Sequence, residues 1–596
     1  MGYLDWIVFF AFIGYVVWDG MRRRSGATDL EGYYAAGRKI PWWAAGLSIM
    51  ATQASAITVI GTTGQGHEHG MRFVQSYFGL PFAMVLLCIF LVPFYRSRNV
   101  LTPYELLEER FGPMSRTLAS LIFLCSRCLA LGAVIYAPSV ALSAILGLDT
   151  MVAVFIIGAL TTTYTLVGGV SAVIWTDVKQ MTVILVGLVI VFVMLVVELL
   201  PEFGSFGKML ELAGAADKLG ALEVVPANDG LLPRTHAEIA AAKEALAADP
   251  NAVVADPSFW EQKYNVWAGV FGGLFLHLSY FGCDNSQAQR LLTSKNATES
   301  KKSLLLSAFA KVPMQAFVLL IGVLMWLFYS VNEQPMLYKT EHVTAAQSAE
   351  FAAKIEPLQA EFDAAHQERK ASMLALAELE AGVTSDAQAL ARYQAATKKV
   401  DDTRKKARVL VHNTPDDKGK LKDDKDTNNI FCTFILSKMP PLLLGLIIAA
   451  IFAAAMSSID SVLNSLSGAT VVDIYRRWIK PDATDAQSLR VGKFTTLFWG
   501  VIATFTALFF AGGGSIIEMI NRVGSWFYGS LLGIFVMALF MRRAGDLAGA
   551  LGLVGGMTAV VIVHNTVKVE FLWYNVVGLL GVLIVGGTTA LLTKRK

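Results

Sequence analysis

Apolar residues run along this chain in long blocks separated by short polar connections. About thirteen blocks are long enough to cross the ~30 Å hydrocarbon core of a bilayer as helices. They fall near residues 4–20, 41–61, 73–95, 117–147, 150–168, 178–200, 266–282, 304–330, 441–467, 492–512, 521–541, 547–565 and 573–592. Basic residues gather in alternate connections. Arg22, Arg23 and Arg24 follow the first span; Arg96, Arg98, Arg110 and Arg116 follow the third; Lys179 opens the sixth. Arg290, Lys295, Lys301 and Lys302 follow the seventh, Arg476, Arg477 and Lys480 the ninth, and Arg542 and Arg543 the eleventh, with Lys594, Arg595 and Lys596 last. Threading thirteen spans puts all of them on one side. The positive-inside bias then predicts a multi-pass plasma (inner) membrane protein with its N-terminus outside and its C-terminus in the cytoplasm.

Two long polar stretches, 201–263 and 332–429, fall on the outer side, where long loops cross largely regardless of charge. The first is expected to hold one helical piece near His236 to Ala248. In the second, Ala345 to Val411 is rich in Ala, Glu, Lys and Gln, and Leu358, Phe362, Met373, Leu376 and Leu379 predict an amphipathic helical hairpin broken near Gly382–Asp386. It reads as a solvated cap on the bundle rather than as a ligand-binding domain.

Composition agrees with the membrane reading. Of 596 residues 55% are hydrophobic and only 16% charged, and mean hydropathy is +0.52, where soluble chains carry nearer a quarter charged residues. A net charge of +3 is too small to imply nucleic acid. Cys125 and Cys128 form a C-x-x-C on a membrane span without a second pair, and read as packing residues. No Walker loop, no G-x-G-x-x-G after a strand and no His-rich ligand set points to an enzyme. No obligatory protein partner is evident; the partners implied are a small solute and the lipid bilayer.

Two spans break the apolar rule. In LLGLIIAAIFAAAMSSIDSVLNSLSGATVVDIY, Leu443 to Tyr475, the residues Ser457, Asp460, Ser461 and Asn464 share one helical face, one turn beyond Ala454. Hydroxyls, a carbonyl and a carboxylate are the oxygen ligands that a hard cation such as Na⁺ needs. Small residues also let helices approach closely, but a carboxylate is not required for packing and is costly in a bilayer. The second span carries Met50-Ala51-Thr52-Gln53-Ala54-Ser55 at mid-membrane depth. Either this helix is interrupted, so that freed carbonyls and amides meet ions and solute, or its hydroxyls bond back to their own backbone.

The run AAAMSSIDSVLNSLSGATVVDIY, preceded along the chain by PWWAAGLSIMATQASAITVIG, VLTPYELLEERFG, VGGVSAVIWTDVKQ and SYFGCDNSQAQRLL in that order, resembles the sodium:solute symporter family, which includes sodium–glucose, sialic acid, proline, iodide, monocarboxylate and multivitamin carriers. The resemblance covers nearly all the spans and neither large insertion. It implies an all-α membrane protein of the leucine-transporter type, a 5+5 inverted repeat. The implied division is an extra N-terminal helix and cytoplasmic link (1–40), a first repeat (41–200), an outer insertion (201–263), and the start of the second repeat (264–331). A second, helical outer insertion (332–429), the rest of that repeat (430–541) and peripheral C-terminal helices (542–596) complete it.

The resemblance also implies the cargo sites. Backbone oxygens at Ala51, Ala54 and Ala454 and the hydroxyls of Ser457 and Ser458 would hold Na⁺. A second Na⁺ site would use Asp177, with Asp460 and Ser461 one turn along the ninth span. Asp460 stands where the two-sodium sialic acid carriers have serine; it would either strengthen that site or pair with a cation that fills it. Asp177 also reads as a charge at a helix N-terminus. For the solute, the sugar-carrying members imply Tyr280 as an aromatic inner gate and Gln53, Thr58, His277, Lys311 and Asn521 as hydrogen-bonding positions. The sialic acid carriers imply Arg127, Ser55 and Thr58 around a carboxylate. Arg127 equally reads as half of a structural ion pair, and His277 as a satisfied core histidine. The expected activity is Na⁺-coupled symport of a small polar organic solute by alternating access, a sugar or sugar acid such as sialic acid first. A Na⁺-coupled monocarboxylate or vitamin carrier, or a proton-coupled carrier titrating Asp460, Asp177 or His277, is the alternative.

Overall fold

The computed structural model describes residues 2–22, 29–98, 100–166, 169–222, 233–239, 241, 259–262, 265–378, 387–412, 423–512 and 516–593. Arg23, Arg24, Leu379, the 382–386 break, most of the piece near His236 to Ala248, and the last three residues lie outside them.

Every regular element among the described residues is helical. In order it forms α1 (Tyr3–Arg22), α2 (Trp42–Gln53), α3 (Ala56–His69), α4 (80–96), α5 (Pro113–Leu146), α6 (Thr150–Thr165), α7 (Val170–Phe203), α8 (Ala268–Gly282), α9 (Asn285–Thr293) and α10 (Ala297–Val331). There follow α11 (Ala352–Glu378), α12 (Ala387–His412), α13 (Ile430–Lys438), α14 (Leu443–Ala469), α15 (Asp485–Ala507), α16 (Ile516–Phe540), α17 (Asp546–Thr566) and α18 (Phe571–Leu592). Among the described residues ten helices are long and apolar enough to cross a membrane, by length and composition, and two shorter apolar ones are Thr150–Thr163 and Ala268–Gly282. The protein is a multi-pass membrane protein.

α14 is the axis of the bundle: all its residues but Leu443 and Leu446 are buried. No side chain of its own caps it. Instead Asp5 of α1, itself buried, accepts from the amides of Leu442 (2.7 Å) and Gly445 (3.1 Å), a carboxylate placed where a helix N-terminus favours negative charge. α3 and α10 touch backbone to backbone. A Cβ on Gly66 would run into the Leu319 carbonyl, and one on Gly322 into the Thr63 carbonyl.

The predicted second span is two helices. Its ladder ends with the Ala54 amide on the Met50 carbonyl (2.7 Å) and resumes from the Ser55 carbonyl. Ala54 has φ −85°, ψ 61°, so the carbonyls of 51–54 fall outside the ladder. Small and hydroxylated residues permit this break without Pro or Gly, because their side chains compete for the backbone; Thr52 Oγ1 indeed donates back to the Ser48 carbonyl (2.8 Å).

The helical insertion packs as an antiparallel pair, α11 against α12, with Phe362, Ala365, Val400 and Ala407 buried between them. Met373, Leu376 and Tyr393 reach the apolar core of the bundle. The insertion is therefore docked on the membrane helices along part of its length.

Candidate cation and solute site

Where α2 breaks it lies against the polar face of α14. The Ser458 hydroxyl donates to the freed Thr52 carbonyl (3.0 Å), and Thr52 Oγ1 lies 3.1 Å from Ser461 Oγ. Ala51, Ala54, Ala454, Ser457, Ser458, Asp460 and Ser461 are all buried here. α7 closes the third side. Asp177 is fully buried two turns inside α7, which removes the reading of it as a helix N-terminal charge. Its carboxylate accepts from Ser48 Oγ (2.5 Å) and from the Ser457 hydroxyl.

Arg290 is the first correction to the loop charges. It is not a cytoplasmic loop residue: it sits on α9, is fully buried, and reaches the same cluster. Its Nη2 donates to Ser461 Oγ and lies 3.6 Å from Asp177 Oδ2, and its Nε donates to Ser48 Oγ (3.1 Å). Arg116 is likewise buried, in an ion pair with Asp473 (2.7 Å). In the first cluster Asp177 lies beside the Arg290 guanidinium, and Asp460 feels the same charge from further off. Neither oxygen of Asp460 has a hydrogen-bond partner of good geometry, an arrangement that is expensive in a low-dielectric interior.

Beside this cluster opens a cavity of about 110 Å³. Gln53, Ser55, Thr58, Arg127, His277, Tyr280 and Asn521 all line it, as does Ser458. Lys311 is not among its lining residues: it is buried behind α2 with Nζ 3.5 Å from the Gln53 carbonyl. Gln53 Oε1 has no hydrogen-bond partner among the described residues, and Ser55, at the N-cap of α3, leaves its hydroxyl out of capping. The open amides of that helix end point positive charge at the cavity. His277 stacks on Tyr77 (5.6 Å) and its Nε2 meets the Ser76 carbonyl (3.2 Å), so it is both a satisfied histidine and a wall residue.

Arg127 is half of an ion pair as well as a wall residue. Its Nε meets Asp284 and its Nη2 the Tyr528 hydroxyl, while its guanidinium lies 4.8 Å over the Tyr280 ring and 5.3 Å over that of Tyr528. Asp284 and Tyr528 escaped the sequence reading: Asp284 lies past the end of α8, as the extended N-cap of α9, where helical spacing from Tyr280 gives no signal. Arg290 escaped it because it was counted among loop charges.

These features define a helical membrane carrier with a broken helix at its site. Residues 33–353 and 407–565 match the model of the sodium:solute symporter family. The chain belongs to that family: it couples Na⁺ entry to movement of a small solute across the bilayer, and it is a carrier, not an enzyme. Among characterised relatives, it is 25% identical over 594 residues (99% of this chain, 93% of the relative) to the sodium/sialic acid symporter of Aliivibrio fischeri. It is 24% identical to that of Proteus mirabilis (99% and 95%) and 22% identical to the sodium/glucose cotransporter of Vibrio parahaemolyticus (94% and 84%). A solved structure of a substrate-bound, outward-open Na⁺-coupled sialic acid symporter superposes with a TM-score of 0.71 at 23% identity, covering 100% of this chain and 99% of that one. The fold is shared with it.

Proposed function

We propose that this carrier moves a sugar acid of the sialic acid type, driven by Na⁺ bound between α2 and α14. The observation that carries the reading is the contact of Ser458 with the freed Thr52 carbonyl at the edge of the cavity. Na⁺ would take the carbonyls of Ala51, Ala54 and Ala454 and the hydroxyls of Ser457 and Ser458, exchanging that hydrogen bond for metal–oxygen bonds. A second Na⁺ would lie by Asp177, Asp460 and Ser461; the buried Asp460, with no hydrogen bond of good geometry among the described residues, supports it, since two carboxylates against Arg290 leave one negative charge over. The same surplus supports a second reading, in which Asp460 carries a proton instead.

For the solute, Gln53, Ser55, Thr58, His277 and Asn521 supply hydrogen-bonding groups, Tyr280 a ring face, and Arg127 with the α3 N-terminus a positive field that suits a carboxylate. Lys311 would act on the solute only through Gln53. The two sialic acid relatives match nearly this whole chain, which favours a sugar acid over the monocarboxylate or vitamin alternative.

Alternating access requires that Na⁺ bind the outward-open form better than the inward-open one, since a ligand shifts an equilibrium only through differential affinity. Ordering the carbonyls of the α2 break is how it would do so. Each Na⁺ entering adds ~2.3 kcal/mol per 100 mV of potential. We take the membrane organisation to be thirteen spans with the N-terminus outside and the C-terminus in the cytoplasm. Two five-helix inverted repeats (41–200, and 264–541 less its insertion) would form the core. Segment 1–40 and helices 542–596 would be peripheral, and insertions 201–263 and 332–429 external.

The test is sialic acid-dependent ²²Na⁺ uptake into proteoliposomes, wild type against Ser458→Ala. Uptake that Ser458→Ala abolishes supports the reading. Solute entry driven by a pH gradient without Na⁺ would sink it in favour of the proton carrier, and uptake supported by lactate or pantothenate but not sialic acid would reassign the solute.

A further inference from the structure

A second, larger cavity of about 550 Å³ lies between the helical insertion and the bundle. Arg369 of α11 and a face of α12 form one wall; the end of α3, Trp326 of α10, Lys218 and the loop before α13 form the other. The family match omits residues 354–406, so the α11–α12 wall belongs to this chain's own insertion.

Seven Lys and Arg side chains line the cavity against five carboxylates, and the pairing among them is uneven. Arg404 pairs with Asp426 (2.8 Å), Arg408 with Asp423 (2.8 Å), and Lys425 with Glu68. Arg369 and Lys218 differ. The Nη2 of Arg369 donates to the Tyr329 carbonyl (2.6 Å) and Gln334 Oε1 (2.5 Å) and meets His366 Nδ1 (2.8 Å), while its Nε has no partner. Lys218 donates to the carbonyls of His67 (3.0 Å) and Glu68 (2.8 Å), over the Trp326 ring at 5.4 Å. All these partners are neutral. Among the described residues no carboxylate comes within ion-pair distance of either cation; Asp401 acts on both from further off. Two cations with no carboxylate at ion-pair distance among the described residues, in one roomy cavity with Trp326 and Tyr393 in its wall, make a recess for an anion that also carries a ring or an apolar face.

We propose that this cavity is a second solute site, a vestibule in which Arg369 and Lys218 hold a small organic carboxylate independently of Na⁺. It deepens the sugar-acid reading of the cargo and rests on it for the identity of the probe, though not for its charge.

The experiment is binding of tritiated N-acetylneuraminate to the purified full chain carrying Ser458→Ala, in low-salt, Na⁺-free Tris–HEPES buffer without added chloride or carboxylate. The expected result is retained binding that pyruvate displaces and glucose does not. Affinity should fall tenfold or more in Lys218→Gln, and in Arg369→Gln while Arg369→Lys retains it. No binding without Na⁺, or displacement by glucose as readily as by pyruvate, overturns the proposal. So does unchanged affinity in both Gln variants. Displacement by chloride at the concentration at which pyruvate acts would make it an inorganic-anion site, which also overturns it. Wild type that binds in this way but gives no Na⁺-driven sialic acid uptake would refute the cargo and keep the vestibule. Normal uptake without Na⁺-free binding would do the reverse.

Discussion

The Ser457 hydroxyl, on α14, donates to the carboxylate of Asp177, on α7. Each belongs to a different proposed Na⁺ site, so one hydrogen bond joins the two. Asp177→Asn keeps the shape of the side chain and removes its charge. The expected outcome is a Na⁺-to-solute ratio lower by one, measured as ²²Na⁺ against labelled solute in the same vesicles, with the Hill coefficient for Na⁺ falling toward one. An unchanged ratio would mean that Asp177 only positions Ser457.

Arg127 and Asp284 are both buried and paired to each other. Removing one partner of such a pair leaves an uncompensated charge and costs roughly 3–5 kcal/mol, whereas replacing both by apolar residues is often neutral. Arg127→Met and Asp284→Leu should each lower the thermal midpoint of the purified carrier, and the double variant should recover most of that loss. If Arg127 also meets the solute, the double variant stays inactive on sugar acids despite its restored stability. A double variant as unstable as the singles would show that the pair is not the reason for either charge.

The Lys218 ammonium gives a pH dependence with a definite sign. Burial, the dominant cause, lowers its pKa to about 8, against the pull of Asp401, Glu68 and Asp217 and with a further push from Arg72. An exposed lysine titrates near ~10.4, so between about 8 and ~10.4 the unfolded chain holds a proton that the folded one lacks. The stability penalty is full below about 8 and is relieved as pH rises through that window. Carboxylate binding in the vestibule follows the charge and should weaken several-fold from pH 7 to pH 9, read by the same binding assay. Lys218→Arg should flatten the profile over that range.

At the crossing of α3 and α10, Gly66 leaves no room for a side chain because the Leu319 carbonyl occupies its place. Gly66→Val must push two backbones apart, at a cost of several kcal/mol of the overpacking kind. The expected outcome is little folded protein by size-exclusion, with Gly66→Ala intermediate. Wild-type yield in the Val variant would mean that this contact is not tight.

The apolar blocks carried the helices because a bilayer punishes any other arrangement of backbone and charge. The oxygen-rich face from Ser457 to Ser461 was legible for the same reason. Arg290 was not. Written beside Lys295, Lys301 and Lys302, it looks like one more loop charge; only the placing of α9 against Ser48 and Ser461 reveals that it faces Asp177. The sequence leaves the α2 break between two readings, since Thr52 does bond back to Ser48 while the chain also breaks, and local sequence cannot weigh the Ser458 contact from 406 residues away. The pairing of Arg127 with Asp284, and the docking of α11 on the Tyr329 carbonyl through Arg369, are long-range facts of the same kind.

Because α3 and α10 meet backbone to backbone at Gly66 and Gly322 and are tied by the hydrogen bond from Gln315 to Thr62, they form a single plank, and the insertion is fastened to it at both edges. Glu68 at the end of α3 takes Lys425 and the Thr427 hydroxyl, and Tyr329 near the end of α10 takes Arg369. The half-helix whose first turn lines the 110 Å³ cavity is therefore continuous with a handle that projects from the bundle. A binder gripping α11 and α12, an antibody fragment for example, would hold that half-helix at arm's length and could arrest the transport cycle without approaching the solute or the ion.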